Sequence, residues 1–119
     1  MPVNRGDVVL VPLPDTSGKP GKTRPALVVS SDFNNQRLQD AIVAVITSTT
    51  MRAKLEPTQL LIELTTAEGK QSGLLNDSTV KCERLHAILQ SLIYRTIGSL
   101  PDRTMLQINE CLKVALQLP

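Results

Sequence analysis

Residues 26–47, ALVVSSDFNNQRLQDAIVAVIT, contain two short apolar runs, Ala26–Ser30 and Ile42–Thr47, separated by the polar stretch Ser31–Asp40. Branched Val and Ile side chains favour extended backbone, so both runs read as strands. The stretch between them has room for one helical turn. It is too short for the crossover helix that joins parallel strands, so antiparallel pairing follows.

The same pattern extends outward in both directions. Val8–Leu13 reads as a first strand, and Pro12 inside it marks an edge or a bulge. Residues 14–23, PDTSGKPGKT, have the turn chemistry of a loop. A second loop, Ser48–Thr58, carries Arg52 and Lys54. Gln59–Leu64 reads as a fourth strand, Thr65–Ser72 as a turn containing Gly69, and Ser78–Ile88 as one or two bent strands. Leu89–Tyr94 suits a short helix and Arg95–Leu100 a last strand. From Asp102 the residues Met105, Ile108, Leu112 and Ala115 recur at helical spacing, with Cys111, Leu116 and Leu118 widening the stripe. The expected fold is β-rich α+β: a small SH3-like, strongly bent antiparallel β-barrel with a short helix and a C-terminal amphipathic helix, forming a single domain over residues 1–119.

Composition narrows the function. The chain has 119 residues and a net charge of only +2, so a basic coat for sequence-blind duplex binding is lacking. The positive charge is uneven. Residues 1–54 hold seven basic and four acidic residues, whereas residues 55–119 hold six and seven. Phe33 and Tyr94 are the two aromatics, too few for platforms that stack successive bases. A nucleic-acid partner would have to be held mainly by charge and hydrogen bonds.

Cys82 and Cys111 fit no CxxC or metal-ligand spacing, and Cys111 falls on the buried helix stripe. No apolar run is long enough to span a bilayer. Two free thiols and no signal stretch predict a reducing, cytoplasmic setting without membrane association.

One histidine excludes a two-histidine ribonuclease mechanism within a subunit, and no nucleophile-elbow, phosphate-loop or zinc-protease motif occurs. No carboxylate cluster has metal-site spacing, so neither metal nor cofactor is expected. Arg24 lies between the Lys19/Lys22 loop and Pro25, which pushes it towards extended geometry at the mouth of a strand. From there a guanidinium can clamp a phosphate; it can equally close a surface salt bridge. Thr47 ends an apolar strand that turns polar at Ser48-Thr49-Thr50, where a hydroxyl serves either a phosphate oxygen or an ordinary turn. Ser78 has the same two readings. Glu83 and Arg84 fit a solvated strand edge, and His86 has an acid/base pKa but no partner in its local sequence.

Taken in order, Arg5-Gly6-Asp7-Val8-Val9, then Arg24-Pro25-Ala26-Leu27-Val28-Val29, Asn34-Asn35, Ala41 to Thr47, Asp77-Ser78 and Gly98-Ser99-Leu100 before the helix resemble the MazF/PemK-like toxins over nearly the whole chain. The resemblance implies the toxin of a type II toxin–antitoxin pair. It implies a homodimer that cleaves single-stranded RNA at short sequences without metal and is inhibited by a cognate antitoxin. The family's catalytic arginine and threonine match Arg24 and Thr47. Its RNA-binding positions match Ser17, Gly18, Lys19, Lys22, Ser48, Ser78, Glu83 and Arg84. Lys19 stands where relatives often carry an acidic residue and Arg84 where a neutral polar one is common, so base preference does not transfer. The alternative from another class is a non-catalytic module of the same fold, either binding only an antitoxin or directed at gyrase.

Overall fold

The computed structural model describes residues 2–14 and 21–119. The elements run β1 (Asp7–Pro12), β2 (Thr23–Val28), α1 (Asp32–Arg37), β3 (Asp40–Thr47), β4 (Gln59–Ile62), α2 (Ala67–Ser72), β5 (Ser78–Leu89), a 3-10 turn (Gln90–Leu92), β6 (Arg95–Ser99) and α3 (Asp102–Leu116). All strand pairs are antiparallel, in one sheet of order β4-β5-β3-β2-β1-β6. The sheet is strongly bent, as the sequence predicts, and β4 and β6 form its two edges.

Two register slips produce the bend. Between β3 and β5 the pairing passes from Ala44↔Leu85 to Val45↔Lys81, which leaves Cys82, Glu83 and Arg84 without partners on β3. Between β1 and β6 it passes from Val8↔Gly98 to Val9↔Thr96. Extra residues in one strand of a pair increase its twist and turn the sheet out of plane.

Alternation along the strands sends side chains into two cores. Val8, Leu27, Ala44, Ile46 and Val80 face α3, whose Met105, Ile108 and Cys111 complete that layer. Val9, Val11, Ala26, Val28 and Val43 fill the other face. Arg5 ties α3 to the sheet. Its backbone N–H donates to Asp32 Oδ1 at 2.6 Å, its Nε to the Val29 carbonyl at 2.9 Å and its Nη2 to Asn109 Oδ1 at 2.6 Å. Gly6 follows at φ +96°, with its N–H on the Val28 carbonyl. The Arg5-Gly6-Asp7 start is thus a structural clasp.

Some details differ from the sequence reading. β2 begins at Thr23 rather than Ala26, because Thr23 and Arg24 find partners in Pro12 and Val11. It ends at Val28, and β4 ends at Ile62. Thr65–Ser72 is not a simple turn. Thr66 Oγ1 accepts the Gly69 N–H at 3.1 Å and caps α2. Gly69, which resembles a turn signal, lies inside the helix, where an added Cβ would lie 2.0 Å from the Glu63 carbonyl oxygen. Ser78–Leu89 is one strand with a bulge. Pro12 lies beyond the last β1–β6 pair, Leu10↔Arg95, so its missing N–H interrupts no ladder on that side.

Both cysteines are buried free thiols, Cys82 beneath the slip and Cys111 on α3. Burial pushes the Cys82 thiol from its ordinary value of 9.0 up to about 12, and it raises Cys111 as well. An unfolded chain ionises Cys82 first, so this thiol's contribution to stability is intact below pH 9 and is lost as pH rises towards 12. We expect Ellman's reagent to leave Cys82 unmodified in the native protein at pH 8 and to titrate it only on unfolding. Stoichiometric native labelling would contradict the packing.

Candidate nucleic-acid interface

β2 and β3 are in register as Ala26↔Val45, Leu27↔Ala44 and Val28↔Val43. Continued two residues along, that register sets Arg24 opposite Thr47. Thr47 in turn pairs with Thr79 on β5. Arg24 therefore lies two residues beyond the last β2–β3 pair, at the same rim of the sheet as the Thr47–Thr79 pair. Two of these residues were singled out from sequence, and they meet here although 23 positions separate them in the chain.

Arg24 is exposed and enters no ion pair among the described residues. The two pairs present, Arg103–Glu68 and Lys113–Glu110, lie elsewhere. The salt-bridge reading of Arg24 thus has no described partner. Thr47 serves the turn first, since its Oγ1 accepts the Thr49 N–H at 3.2 Å. The hydroxyl hydrogen stays available to an incoming acceptor, so the turn and ligand readings are compatible. Thr79 is fully buried, and its Oγ1 has no hydrogen-bond partner among the described residues.

Two cavities open at this rim, and Arg24 and Thr47 border both. The larger, about 500 Å³, lies on the sheet face of Leu10 and Ile46 and also takes in Ser48, Ser78 and Arg95. The smaller, about 210 Å³, lies on the face of Val45 and takes in Lys81 and Arg84. Alternation explains the split: Leu10 pairs with Pro25 and Arg95 on one face, while Val45 pairs with Lys81 on the other. Arg24, Lys81, Arg84 and Arg95 all line the rim, whereas no carboxylate among the described residues lines either cavity. Two carboxylates next to lining residues are hydrogen-bonded to neutral donors. Asp77 Oδ1 accepts the Leu64 N–H at 2.8 Å, and Glu83 accepts from Thr58 Oγ1 at 3.1 Å and Gln59 Nε2 at 2.7 Å. Four cations with no ion-pair partner among the described residues favour an anion here.

The other sequence candidates are distributed unevenly. Ser48 and Ser78 line the larger cavity, and Ser78 Oγ donates to the Asn76 carbonyl at 2.8 Å to close a turn. Arg84 lines the smaller cavity, Glu83 stays on the exposed side of β5, and Lys22 is exposed before β2 but lines neither cavity. Ser17, Gly18 and Lys19 lie outside the described residues. His86 pairs with Val43, four residues along β3 from Thr47 and so roughly 13 Å from it. Lys81 and Arg95 were missed, because only the register reveals which rim they reach. Among the described residues no group of three His, Cys, Asp or Glu side chains could hold a metal ion. No described helix is long and apolar enough to cross a membrane.

The profile of the PemK-like, MazF-like toxins of type II toxin–antitoxin systems matches residues 4–116. The chain belongs to this family. It is 34% identical to Endoribonuclease EndoA of Bacillus subtilis (strain 168), over 99% of this chain and 97% of that protein. It is 32% identical to Endoribonuclease MazF9 of Mycobacterium tuberculosis (strain ATCC 25618 / H37Rv), over 98% of each. Solved structures share the fold. A mycobacterial endoribonuclease in complex with its cognate antitoxin superposes with a TM-score of 0.79 at 22% identity, over 98% of this chain and 97% of that one. The MazE–MazF complex (Form-II) of Deinococcus radiodurans gives 0.72 at 16% identity, over 100% and 99%.

In this family member the shape of the larger cavity depends on a glycine seam. Gly73 ends α2 at φ +75°, where an added Cβ would lie 2.0 Å from the Ile97 carbonyl oxygen. A Cβ on Gly98 would lie 2.4 Å from the Gln71 carbonyl oxygen. The end of α2 thus packs backbone to backbone on β6 and carries Leu74–Asn76 over the cavity. We expect Gly73→Ala to lower unfolding free energy by at least about 1–3 kcal/mol in urea titrations, from the left-handed conformation alone. An unchanged midpoint would show that the seam yields.

Proposed function

We propose that this chain is the toxin of a type II toxin–antitoxin pair, an endoribonuclease that cleaves single-stranded RNA in the cytoplasm and so arrests translation and growth. The observation that carries the reading is at the rim: Arg24 and Thr47 border the same two cavities, among cations that have no ion-pair partner among the described residues. It agrees with the endoribonuclease relatives and with family membership.

The chemistry uses the substrate's own 2′-hydroxyl. Its oxygen attacks the adjacent phosphorus, the bond to the 5′-oxygen breaks, and the products are a cyclic phosphate and a free 5′-hydroxyl. Charge grows on the phosphoryl oxygens in the transition state. Arg24 stabilises that charge with fixed donors, and Thr47 donates its free hydroxyl hydrogen to a phosphoryl oxygen and holds it in line. A guanidinium with a pKa above about 12 is a poor base, so Arg24 acts mainly as an electrostatic group. Lys81 and Arg84 attract the backbone beside the cut, with Lys19 and Lys22 adding charge from the first loop. No residue here is assigned as a metal ligand.

The chain acts as a homodimer, and its partner is a cognate antitoxin whose acidic segment would neutralise the same rim. The test is purified, antitoxin-free protein on a long single-stranded RNA with EDTA present, with 5′ ends mapped. Discrete cuts are expected. Arg24→Ala should lose at least about 100-fold in rate while melting and dimer mass stay unchanged. Full activity in Arg24→Ala would remove the assignment. No cleavage by folded wild type would favour a binding module or a gyrase-directed toxin.

A further inference from the structure

Thr79 is fully buried, and its Oγ1 has no hydrogen-bond partner among the described residues. The buried serines are different. Ser30 Oγ donates to Asn35 Oδ1, Ser72 Oγ to the Gly69 carbonyl and Ser78 Oγ to the Asn76 carbonyl. A buried hydroxyl without a partner has given up its hydration and destabilises the fold. Valine has nearly the same shape, the same preference for strands and no such penalty. The packing of β5 therefore does not call for an oxygen at this position.

Its place in the sheet supplies a use. Val80 and its β3 partner Ile46 face the core beneath α3. Alternation turns the next pair, Thr79 and Thr47, to the opposite face, beside Val45↔Lys81. The other cross-strand neighbour of Thr79 is Leu61 on β4, which offers only methyl groups. Thr47 is thus the neighbour that carries a hydroxyl. Directly opposed residues of an antiparallel pair have Cβ atoms about 4.5–5.5 Å apart, and one rotation about χ1 brings paired threonine hydroxyls within bonding distance. Thr47 Oγ1 has room for the bond. It has two lone pairs, and the Thr49 N–H at 3.2 Å occupies one of them.

Resting on the nuclease reading above, we propose that Thr79 is a positioning residue for cleavage. As the scissile phosphate arrives, the Thr79 hydroxyl turns and donates to Thr47 Oγ1, whose own hydrogen goes to a phosphoryl oxygen. On its own the Thr47 hydroxyl hydrogen swings about the C–O bond. With the Thr49 N–H on one lone pair and the Thr79 O–H on the other, it is held in one direction, towards the phosphate. A hydroxyl that accepts hydrogen bonds is also a stronger donor, so the pair stabilises the charge that grows on the phosphoryl oxygen. No proton moves along the pair: each oxygen keeps its hydrogen, and Thr79 touches no part of the RNA. The unpaired oxygen of the free protein becomes a paired one in the transition state, which is where an interaction accelerates the chemistry.

The test compares wild type, Thr79→Val and Thr79→Ser in thermal melting and in single-turnover cleavage of a short RNA carrying the cut word, over a range of enzyme concentrations. Thr79→Val should melt above wild type, because the unpaired oxygen is gone. At saturating enzyme it should cut about 3- to 10-fold more slowly, with the half-saturating concentration unchanged. Thr79→Ser keeps the hydroxyl and should recover most of the wild-type rate, although it loses a buried methyl and melts lower. A purely structural threonine would not separate rate from stability in this way. Wild-type cleavage by Thr79→Val would overturn the inference. So would a Thr79→Val protein that melts below wild type, since the oxygen would then be bonded already in the free protein, and so would a Thr79→Ser rate as low as that of Thr79→Val. In all three cases wild type still cuts and the nuclease reading stands. RNA left intact by folded wild type would remove that reading and the role of Thr79 with it.

Discussion

The three-residue slip between β3 and β5 is the constraint on which the rest depends. A regular ladder would keep the sheet flatter and pair Cys82, Glu83 and Arg84 with β3. Because those residues are released, the sheet folds over α3 with Cys82 in the core. The slip also moves Arg84 into the cavity shared by Arg24 and Thr47, and β5 bends without ending. One irregularity thus contributes to both the core and the electrostatics of the rim.

Its effect is largest where strands end. A residue in mid-strand commits its side chain to one face of the sheet. A residue at the last rung has solvent beyond it and reaches either face, as Arg24 and Thr47 do by bordering both cavities. Pro25 holds Arg24 extended at that rung, and the Thr49 N–H fixes Thr47 without using its hydrogen. The rim is preorganised by backbone geometry, and its cations enter no ion pair among the described residues.

Much of this was legible in the chain. Apolar runs with short polar connections gave the antiparallel strands, and the period of Met105, Ile108 and Cys111 gave α3. The unread parts have specific causes. Gly69 hid α2 because glycine signals a turn locally, whereas here it avoids the Glu63 backbone. Thr23 and Arg24 read as loop because their partners, Pro12 and Val11, lie across a loop and give no local signal. Arg24 and Thr47 emerged as a pair through family resemblance, since neither residue alone outweighs its ordinary surface role. Lys81 and Arg95 were invisible for a deeper reason: the face a strand residue occupies depends on register, and two slips alter it.

The Arg5 clasp has a further consequence. The motif that helps mark the family touches none of the proposed chemistry; its three hydrogen bonds join Arg5 to α1, to Val29 just after β2 and to α3. For a host carrying a toxin of this family, disarming it does not require damage at the rim. Lesions at Arg5, Gly6 or the glycine seam would silence the chain by unfolding it, and such scaffold positions outnumber the reactive ones. Survivors of selection would therefore chart the architecture more densely than the catalytic apparatus, and the genetic footprint of the toxin would resemble a map of its folding.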